Sequence, residues 1–154
     1  DNDISFKPGL LGEDTDWFFS FLFKVNKLEL IDQEFVFYRQ REQSITSTPR
    51  IKNLTDSIYI ISKWSSKEKL SLLTEEQQKI QLHALAKYYA NLLILYSRVK
   101  DKEKRKHKKA IKEMKYLLDY GLTKRPRLFR KYYRLFGFNI LILLLKIVDP
   151  ARKK

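Results

Sequence analysis

Three carboxylates follow a glycine near the start of the chain and precede a run of aromatic residues. Glu13, Asp14 and Asp16 come after Gly12 and lead into residues 17–23, which read Trp-Phe-Phe-Ser-Phe-Leu-Phe. A sharp turn at the glycine would place the acids at the N-terminus of a helix, where the helix dipole favours negative charge. A carboxylate held in this way suits a general base that removes a proton from a substrate hydroxyl. Alternatively, Asp14 serves only as the N-cap of the helix.

Short elements are predicted on both sides of the acids. We expect the helix to run roughly from Thr15 to Val25 and to be buried, because both of its faces are apolar. Leu28 to Ile31 and Phe35 to Tyr38 predict two short β segments, with Asp32-Gln33 as the turn between them. Ile4 to Phe6 predicts a further short strand ahead of the acids.

The order of these features resembles the second half of the catalytic domain of family 2 glycosyltransferases. The resemblance rests on Gly12-Glu13-Asp14, the aromatic helix, a short strand, and Tyr38-Arg39-Gln40-Arg41 followed by Ser44-Ile45. It covers residues 1–50 in detail and is looser beyond them. It implies a GT-A fold, in which a nucleotide-sugar half precedes an acceptor half. The first half, with its βα units and Asp-x-Asp metal motif, is absent from this sequence, so we expect the chain to be a fragment of such an enzyme.

The resemblance also implies roles for individual residues. Asp14 matches the base that deprotonates the acceptor hydroxyl in an inverting sugar transfer, and Glu13 helps to fix it. The residues expected to contact donor or acceptor are Trp17, Arg39, Arg41 and Ser44. The two arginines are suited to phosphate, because a guanidinium group forks onto phosphate oxygens. A divalent cation, Mg²⁺ or Mn²⁺, is expected for the complete enzyme. Its ligands would lie outside this chain, which should therefore be inactive alone.

Charge is distributed very unevenly along the 154 residues. The chain carries 32 Lys and Arg against 18 Asp and Glu, and residues 98–154 alone hold 20 of the basic residues and 5 of the acidic ones. A strongly basic last third indicates a polyanionic partner, either nucleic acid or a membrane surface. The chain has no cysteine, which excludes disulfides and thiolate metal sites. His83 and His107 lack the spacing of metal ligands, so no metal site is expected in this chain.

Beyond residue 50 the pattern indicates helices alone. The polar stretch from Gln40 to Asn53 predicts a loop, which is either a lid beside the carboxylates or a plain connector. Thr74-Glu75-Glu76-Gln77 is a capping box, and apolar residues at three-and-four spacing follow it as far as Tyr96. We therefore predict a mainly α protein with a small β element, an α+β arrangement. Residues 1–52 would form the acceptor-side part of the catalytic domain, and residues 53–154 a bundle of four to six helices.

The tail, residues 124–154, is predicted to be basic and amphipathic. Pro126 is placed as the first residue of a helix, and Gly137 offers a bend before a second, almost wholly apolar helix from Phe138 to Val148. On a helical wheel one stripe is basic and the opposite side apolar; the stripe holds Arg127, Arg130, Lys131 and Arg134, and the apolar side Leu128, Phe129, Tyr132, Tyr133, Leu135 and Phe136. This pattern is typical of a helix at a membrane surface, and the last apolar stretch is too short to span a bilayer. Alternatively, the apolar side packs on the bundle and the stripe is solvated.

Two classes of function therefore remain open. The first is a glycosyltransferase of cell-surface polysaccharide or glycoconjugate synthesis, acting on a sugar or lipid-linked acceptor at the cytoplasmic face of an anionic membrane. The second is a basic helical module without catalysis, which binds nucleic acid or serves as a scaffold. The first is favoured and no nucleic acid is expected, because residues 140–145 are wholly apolar and would have no use in a phosphate groove.

Overall fold

The structure is a computed structural model that describes residues 4–22, 24, 27, 29, 31–34, 36 and 49–148. These residues form six α-helices and two 3₁₀ helices. They are α1 (Glu13–Leu22), α2 (Ile51–Trp64), α3 (Lys67–Leu70), α4 (Glu75–Arg98), a first 3₁₀ helix (Lys102–His107), α5 (Lys108–Glu113), a second 3₁₀ helix (Met114–Tyr120) and α6 (Lys124–Val148). The prediction of a mainly helical chain is confirmed.

The predicted β element is not seen in the described residues. Ile4 to Phe6 forms no strand and leads into a turn, so that prediction is wrong. The reason is that a strand needs a partner for its backbone groups, and no other strand occurs in this part of the chain. The segments Leu28 to Ile31 and Phe35 to Tyr38 lie largely outside the described residues. So does most of the loop predicted from Gln40 to Asn53, although its last three residues belong to α2.

The central helix is α4, against which α2, the second 3₁₀ helix and α6 pack. Its start is the predicted capping box: the Gln77 N–H donates to Thr74 Oγ1 at 3.3 Å, and the Thr74 N–H donates to Gln77 Oε1 at 2.9 Å. The apolar residues predicted for its core face are buried, namely Leu82, Leu85, Ala86, Tyr89, Leu92, Leu93 and Tyr96. The Tyr89 hydroxyl donates to the Ile111 carbonyl oxygen at 2.8 Å and so ties α4 to α5. Burial raises the pKa of the Tyr89 phenol far above its ordinary value.

The charge run at residues 100–109 forms the first 3₁₀ helix and the beginning of α5. The Asp101 side chain begins it by accepting the Glu103 N–H at 2.8 Å. Lys104 folds back onto the end of α4, where its Nζ donates to the carbonyl oxygens of Tyr96, at 2.9 Å, and Val99. A helix leaves its last carbonyls without partners, so this lysine satisfies groups that α4 cannot pair itself.

The packing of α1 is one-sided. Phe19 is fully buried, with its ring centroid 5.8 Å from that of Trp64 and 5.6 Å from that of Tyr88. Phe18 and Leu22 are exposed, so the prediction of a helix buried on both faces is wrong. In the described residues α1 has α2 and α4 beneath it and no element on its outer side. The helix also begins at Glu13, two residues earlier than predicted.

Gly137 divides α6 into two halves. Its φ of +74° and ψ of 177° lie outside the helical region and in a conformation that favours glycine, so the predicted bend is confirmed. Pro126 is the third residue of α6 instead of the first, where its missing N–H still costs no helical hydrogen bond. Phe129 of the first half, and Phe138, Leu141 and Ile142 of the second, are buried against the bundle.

Candidate functional site

The acidic turn, residues 11–16, is fixed by its backbone before α1 begins. Gly12 has a φ of +84°, and its carbonyl oxygen accepts the N–H groups of Thr15 at 3.0 Å and Asp16 at 3.2 Å. The Leu11 N–H donates to Asp56 Oδ2 on α2 at 2.8 Å. The first helical residue is Glu13 and Gly12 directly precedes it, so Asp14 lies inside the helix. The alternative in which Asp14 is the N-cap is therefore wrong.

Asp16 anchors this turn to α2. Its side chain is buried, and its Oδ1 and Oδ2 lie 2.8 Å and 2.9 Å from the Nζ of Lys63. The indole N–H of Trp64 donates to the same Oδ1 at 2.7 Å. Hydrogen bonds to an ionised acceptor are among the strongest in proteins, so this contact fixes α1 on α2. With both oxygens bonded inside the fold, Asp16 is poorly placed to take a proton from a substrate.

Asp14 faces the other way. Its side chain is exposed, as is that of Glu13. Asp14 Oδ1 accepts the N–H of Thr15 at 2.7 Å, which orients the carboxylate from within its own turn. The structure therefore separates the acids of one helical turn: Asp16 is turned into the fold, and Asp14 and Glu13 are turned toward solvent. An oriented carboxylate open to solvent can reach the hydroxyl of an incoming molecule.

Trp17 lies one helical turn after Asp14 and is the centre of an aromatic stack. Its ring centroid is 5.6 Å from that of Phe6 and 5.4 Å from that of Phe21, with interplanar angles of 20° and 9°. Residues three apart on a helix are neighbours on its surface, so the stack and the Asp14 carboxylate belong to one face of α1. The other predicted substrate-binding residues, Arg39, Arg41 and Ser44, lie outside the described residues.

A cavity of about 200 Å³ adjoins the acidic turn. Leu11, Gly12 and Thr15 form one wall, and side chains of α2 and α4 that include Ile60 and Tyr88 form the other. Most of these side chains are apolar. The cavity volume is below the range of about 300–1,000 Å³ that is usual for small-molecule sites, so it can hold at most a small group.

The four basic residues predicted to bind a membrane occupy the first half of α6 but are not equivalent. Arg134 Nη2 lies 2.7 Å from Asp119 Oδ1, and Arg130 Nη1 lies 4.0 Å from the same oxygen and donates to the Asp119 carbonyl oxygen at 3.4 Å. Arg127 and Lys131 are exposed and form no ion pair with any described residue. Two of the four cations are therefore partly neutralised by one carboxylate of the second 3₁₀ helix.

The predicted apolar side of this half of α6 is divided in the structure. Phe129 is buried and Tyr133 is half-buried, because these residues, four apart, point into the bundle. The other members are exposed: Leu128, Tyr132, Leu135 and Phe136. The prediction of one continuous apolar side is therefore corrected to a buried ridge with exposed apolar residues flanking it.

The exposed apolar residues continue beyond the bend. Ile140, Leu143, Ile147 and Val148 are exposed, the last two by 67% and 75%. Together with the four exposed residues of the first half they form what we call the apolar surface of α6. Within each half of α6 these residues recur at three-and-four spacing and so lie on one face, and grouped exposed apolar residues mark a site of interaction with another protein or a membrane. Within the described residues, no helix is long and apolar enough to cross a bilayer.

Neither a metal centre nor a known relative adds to these features. Among the described residues, no three His, Asp or Glu side chains come together as ligands. His83 has a structural contact, in which its Nδ1 accepts the Leu122 N–H at 3.1 Å and links α4 to the segment before α6. In comparisons with models of protein families, curated protein sequences and solved structures, nothing matches this chain. The assignment of function therefore depends on the geometry of the acidic turn and of α6.

Proposed function

We propose that this chain is the acceptor-side part of an inverting glycosyltransferase and that Asp14, not Glu13 or Asp16, is its general base. The observation that carries the proposal is that the two aspartates of the acidic turn differ in burial. Asp16 is buried against Lys63 and Trp64, which leaves Asp14 exposed on a backbone that is held in place. The resemblance of Gly12-Glu13-Asp14 and the segment after it to family 2 glycosyltransferases supplies the type of reaction.

In the proposed reaction the Asp14 carboxylate takes the proton of an acceptor hydroxyl. The hydroxyl oxygen forms a bond to C1 of the donor sugar while the bond from C1 to the diphosphate oxygen breaks. The nucleoside diphosphate leaves with the bonding electron pair, and attack from the opposite face inverts C1. A base within hydrogen-bonding reach of the hydroxyl contributes a factor of about 10²–10⁴ to the rate of such a step.

The neighbouring residues suit this role. The Trp17 stack offers an aromatic face on the same side of α1, onto which the apolar face of a sugar ring can pack. In the proposal Arg39, Arg41 and Ser44 contact the phosphate or sugar oxygens of the substrates. The Mg²⁺ or Mn²⁺ that the resemblance implies does not fit the described residues, which contain no ligand cluster for it. In the proposal the donor site belongs to the part of the complete enzyme that precedes this chain.

The test is sugar transfer by the complete enzyme, measured with a panel of radiolabelled nucleoside diphosphate sugars. Asp14→Asn should lower turnover about 10²–10⁴-fold. The matched control is Glu75→Gln, which removes an exposed carboxylate from the first turn of α4. Loss of activity in both variants would contradict a specific role for Asp14. An upstream reading frame without βα units or an Asp-x-Asp motif would argue against the reaction class itself.

We further propose that the protein attaches to the cytoplasmic surface of an anionic membrane through α6. The apolar surface of α6 supports this, since the exposed cation Lys131 is within one helical turn of the exposed Leu128 and Leu135. The alternative is a nucleic-acid-binding module, which would use the cations but leave the apolar residues without a partner.

Vesicle flotation separates these two partners. The protein should float with vesicles of phosphatidylcholine and phosphatidylserine but not with phosphatidylcholine alone. Its binding should weaken in salt, because charges at a surface are screened over about 8 Å at physiological ionic strength. Salt-sensitive binding to a single-stranded oligonucleotide without vesicle binding would favour the nucleic-acid alternative.

A further inference from the structure

A second cavity lies at the bend of α6, where Gly137 interrupts the helix. Its volume is about 460 Å³. Lys112 of α5 and Lys115 of the second 3₁₀ helix form one wall, and Tyr133 with residues 136–140 of α6 forms the other. We refer to it as the bend cavity. It is separate from the acidic turn and from the four basic residues of the predicted stripe.

Aromatic packing anchors the α6 wall of the bend cavity in the fold. Phe138 is buried, with its ring centroid 5.5 Å from that of Tyr96 and 6.1 Å from that of Tyr133. From α5, which also carries Lys112, Lys108 Nζ lies 5.8 Å from the centroid of the Phe138 ring. A cation within about 6 Å of an aromatic centroid is attracted to it. The cavity is therefore part of the packed fold and not a gap between loose segments.

The electrostatics of the bend cavity favour an anion. Lys112 and Lys115 are exposed and form no ion pair with any described residue. The described residues that line the cavity include no carboxylate. The same two lysines also line a neighbouring concave surface together with Arg105, Lys108, Lys109 and a single acid, Glu113. A concave surface with an excess of one charge concentrates ions of the opposite charge.

The rim of the bend cavity is apolar, and this narrows the class of anion. Phe136 and Ile140 line the cavity while remaining exposed, and Leu143 continues the exposed line one turn further along α6. A free phosphate or a nucleic acid would occupy the lysines and leave these side chains in water. A phospholipid at a bilayer surface provides a partner for both the lysines and the apolar rim. Its phosphate lies at the level of the cations and its chains at the level of the apolar side chains.

We propose that the bend cavity binds the headgroup of an anionic phospholipid, with the phosphate between Lys112 and Lys115. Phe136 and Ile140 enter the bilayer beside the bound lipid, and the Asn139 amide is available to donate to a phosphate oxygen. The proposal rests on the membrane attachment through α6 proposed above. It adds an electrostatic contact on α5 and the second 3₁₀ helix to that of the basic stripe, where Asp119 already pairs with two members.

The first test compares two double variants of equal charge in vesicle flotation. Lys112→Gln/Lys115→Gln alters the cavity, and Lys67→Gln/Lys79→Gln removes two exposed lysines of α3 and α4 that are outside it. Binding to vesicles that contain phosphatidylserine should fall at least about tenfold for the cavity variant and less than about twofold for the control. Thermal unfolding followed by circular dichroism establishes that both variants are folded.

Equal loss in the two variants would overturn the headgroup site while leaving membrane attachment intact. Failure of the wild-type protein to float with anionic vesicles would overturn membrane attachment and the headgroup site with it. The second test is a titration followed by amide NMR, with soluble dihexanoyl-phosphatidylserine as the probe. The Gly137 amide and the Asn139 side-chain amide should shift saturably with this lipid and not with inorganic phosphate at equal ionic strength. Equal saturable shifts with phosphate would show a free-anion site and contradict the lipid assignment.

Discussion

Two carboxylates far apart in the sequence each bind cationic side chains, but in different surroundings. Asp16 ties α1 to α2 through Lys63 and the indole of Trp64, and its side chain is 8% exposed. Asp119 pairs with Arg134 and Arg130 between the second 3₁₀ helix and α6, and its side chain is 49% exposed. Both contacts are ion pairs between a carboxylate and basic side chains, but only that of Asp16 is buried. Burial decides which of the two contacts holds the fold together.

The difference also indicates where function can lie. A buried ion pair cannot exchange its partner without leaving a charge unpaired inside the protein, so Asp16 is committed to structure. An exposed pair contributes little to stability, so the fold does not depend on it. The groups available for function are therefore the exposed ones: Asp14 in the acidic turn, and the cations in and near α6 that pair with no described residue.

The largest effect on stability is expected from the buried contact. Asp16→Ala removes the buried carboxylate that accepts hydrogen bonds from Lys63 Nζ and from the Trp64 indole N–H. The free energy of unfolding should fall by about 3 kcal/mol, measured by urea denaturation. Asp14→Ala, two residues away and exposed, is the matched control and should change it by less than about 0.5 kcal/mol. Similar losses in the two variants would contradict the assignment of Asp16 as the anchor.

A smaller effect is expected from Tyr89, a buried polar group with one neutral partner. Tyr89→Phe removes the hydrogen bond to the Ile111 carbonyl and should lower the free energy of unfolding by about 1 kcal/mol at neutral pH. Burial raises the pKa of this phenol from its ordinary value of 10.0, so its protonated form is favoured in the folded state. The stability that it contributes is complete below pH 10.0 and is lost as the pH rises above it, because the unfolded chain then ionises. Between pH 8 and a pH above 10, the free energy of unfolding should fall less for Tyr89→Phe than for the wild type, as measured by urea denaturation.

The basic residues of α6 allow a comparison at constant charge. Arg127→Gln/Lys131→Gln removes two cations without described ion pairs, and Arg130→Gln/Arg134→Gln removes the two that Asp119 already pairs. Each basic residue near an anionic leaflet is worth about 1 kcal/mol, so the first double variant should weaken vesicle binding by about an order of magnitude and the second by less. Vesicle flotation measures both. The reverse order would show that the Asp119 pairs open at the membrane.

The smallest effect is expected from Asp119 itself. Asp119→Asn should lower the free energy of unfolding by less than about 0.5 kcal/mol, because the Arg134 side chain is 69% exposed and its pairing with Asp119 is solvated. Urea denaturation is again the measurement. A loss comparable to that of Asp16→Ala would mean that burial is not what distinguishes the two contacts.

Local sequence patterns predicted the helices well, but they predicted poorly which faces of those helices are buried and which are exposed. The Thr74 capping box, the core face of α4 and the bend at Gly137 follow from residues close in sequence, and each is present. The exposed side of α1 and the divided apolar side of α6 depend on which elements lie next to them, and a helical wheel does not contain that information. The partners of Asp16 are 47 and 48 residues away, so no local signal identified them.

The candidate sites also divide into one formed by neighbouring residues, which the sequence reveals, and one formed by residues distant in sequence, which it does not. The acidic turn was recognised because its residues are consecutive, although the sequence alone could not distinguish the buried Asp16 from the exposed Asp14. The bend cavity was missed because its two lysines and its apolar rim are more than twenty residues apart. The signal that could have pointed to it was the spacing of Lys108, Lys112 and Lys115, which places three cations on one side of a helical segment.

The central claim is that the acidic turn divides structure and catalysis between two aspartates. Its most direct test is to measure stability and sugar transfer on the same pair of variants, Asp14→Asn and Asp16→Asn, in the proposed complete enzyme. We expect Asp14→Asn to unfold at the wild-type urea concentration and to lose transfer about 10²–10⁴-fold. We expect Asp16→Asn to unfold at lower urea and, where it is still folded, to retain most of its turnover. Near-normal turnover of folded Asp14→Asn would contradict the claim.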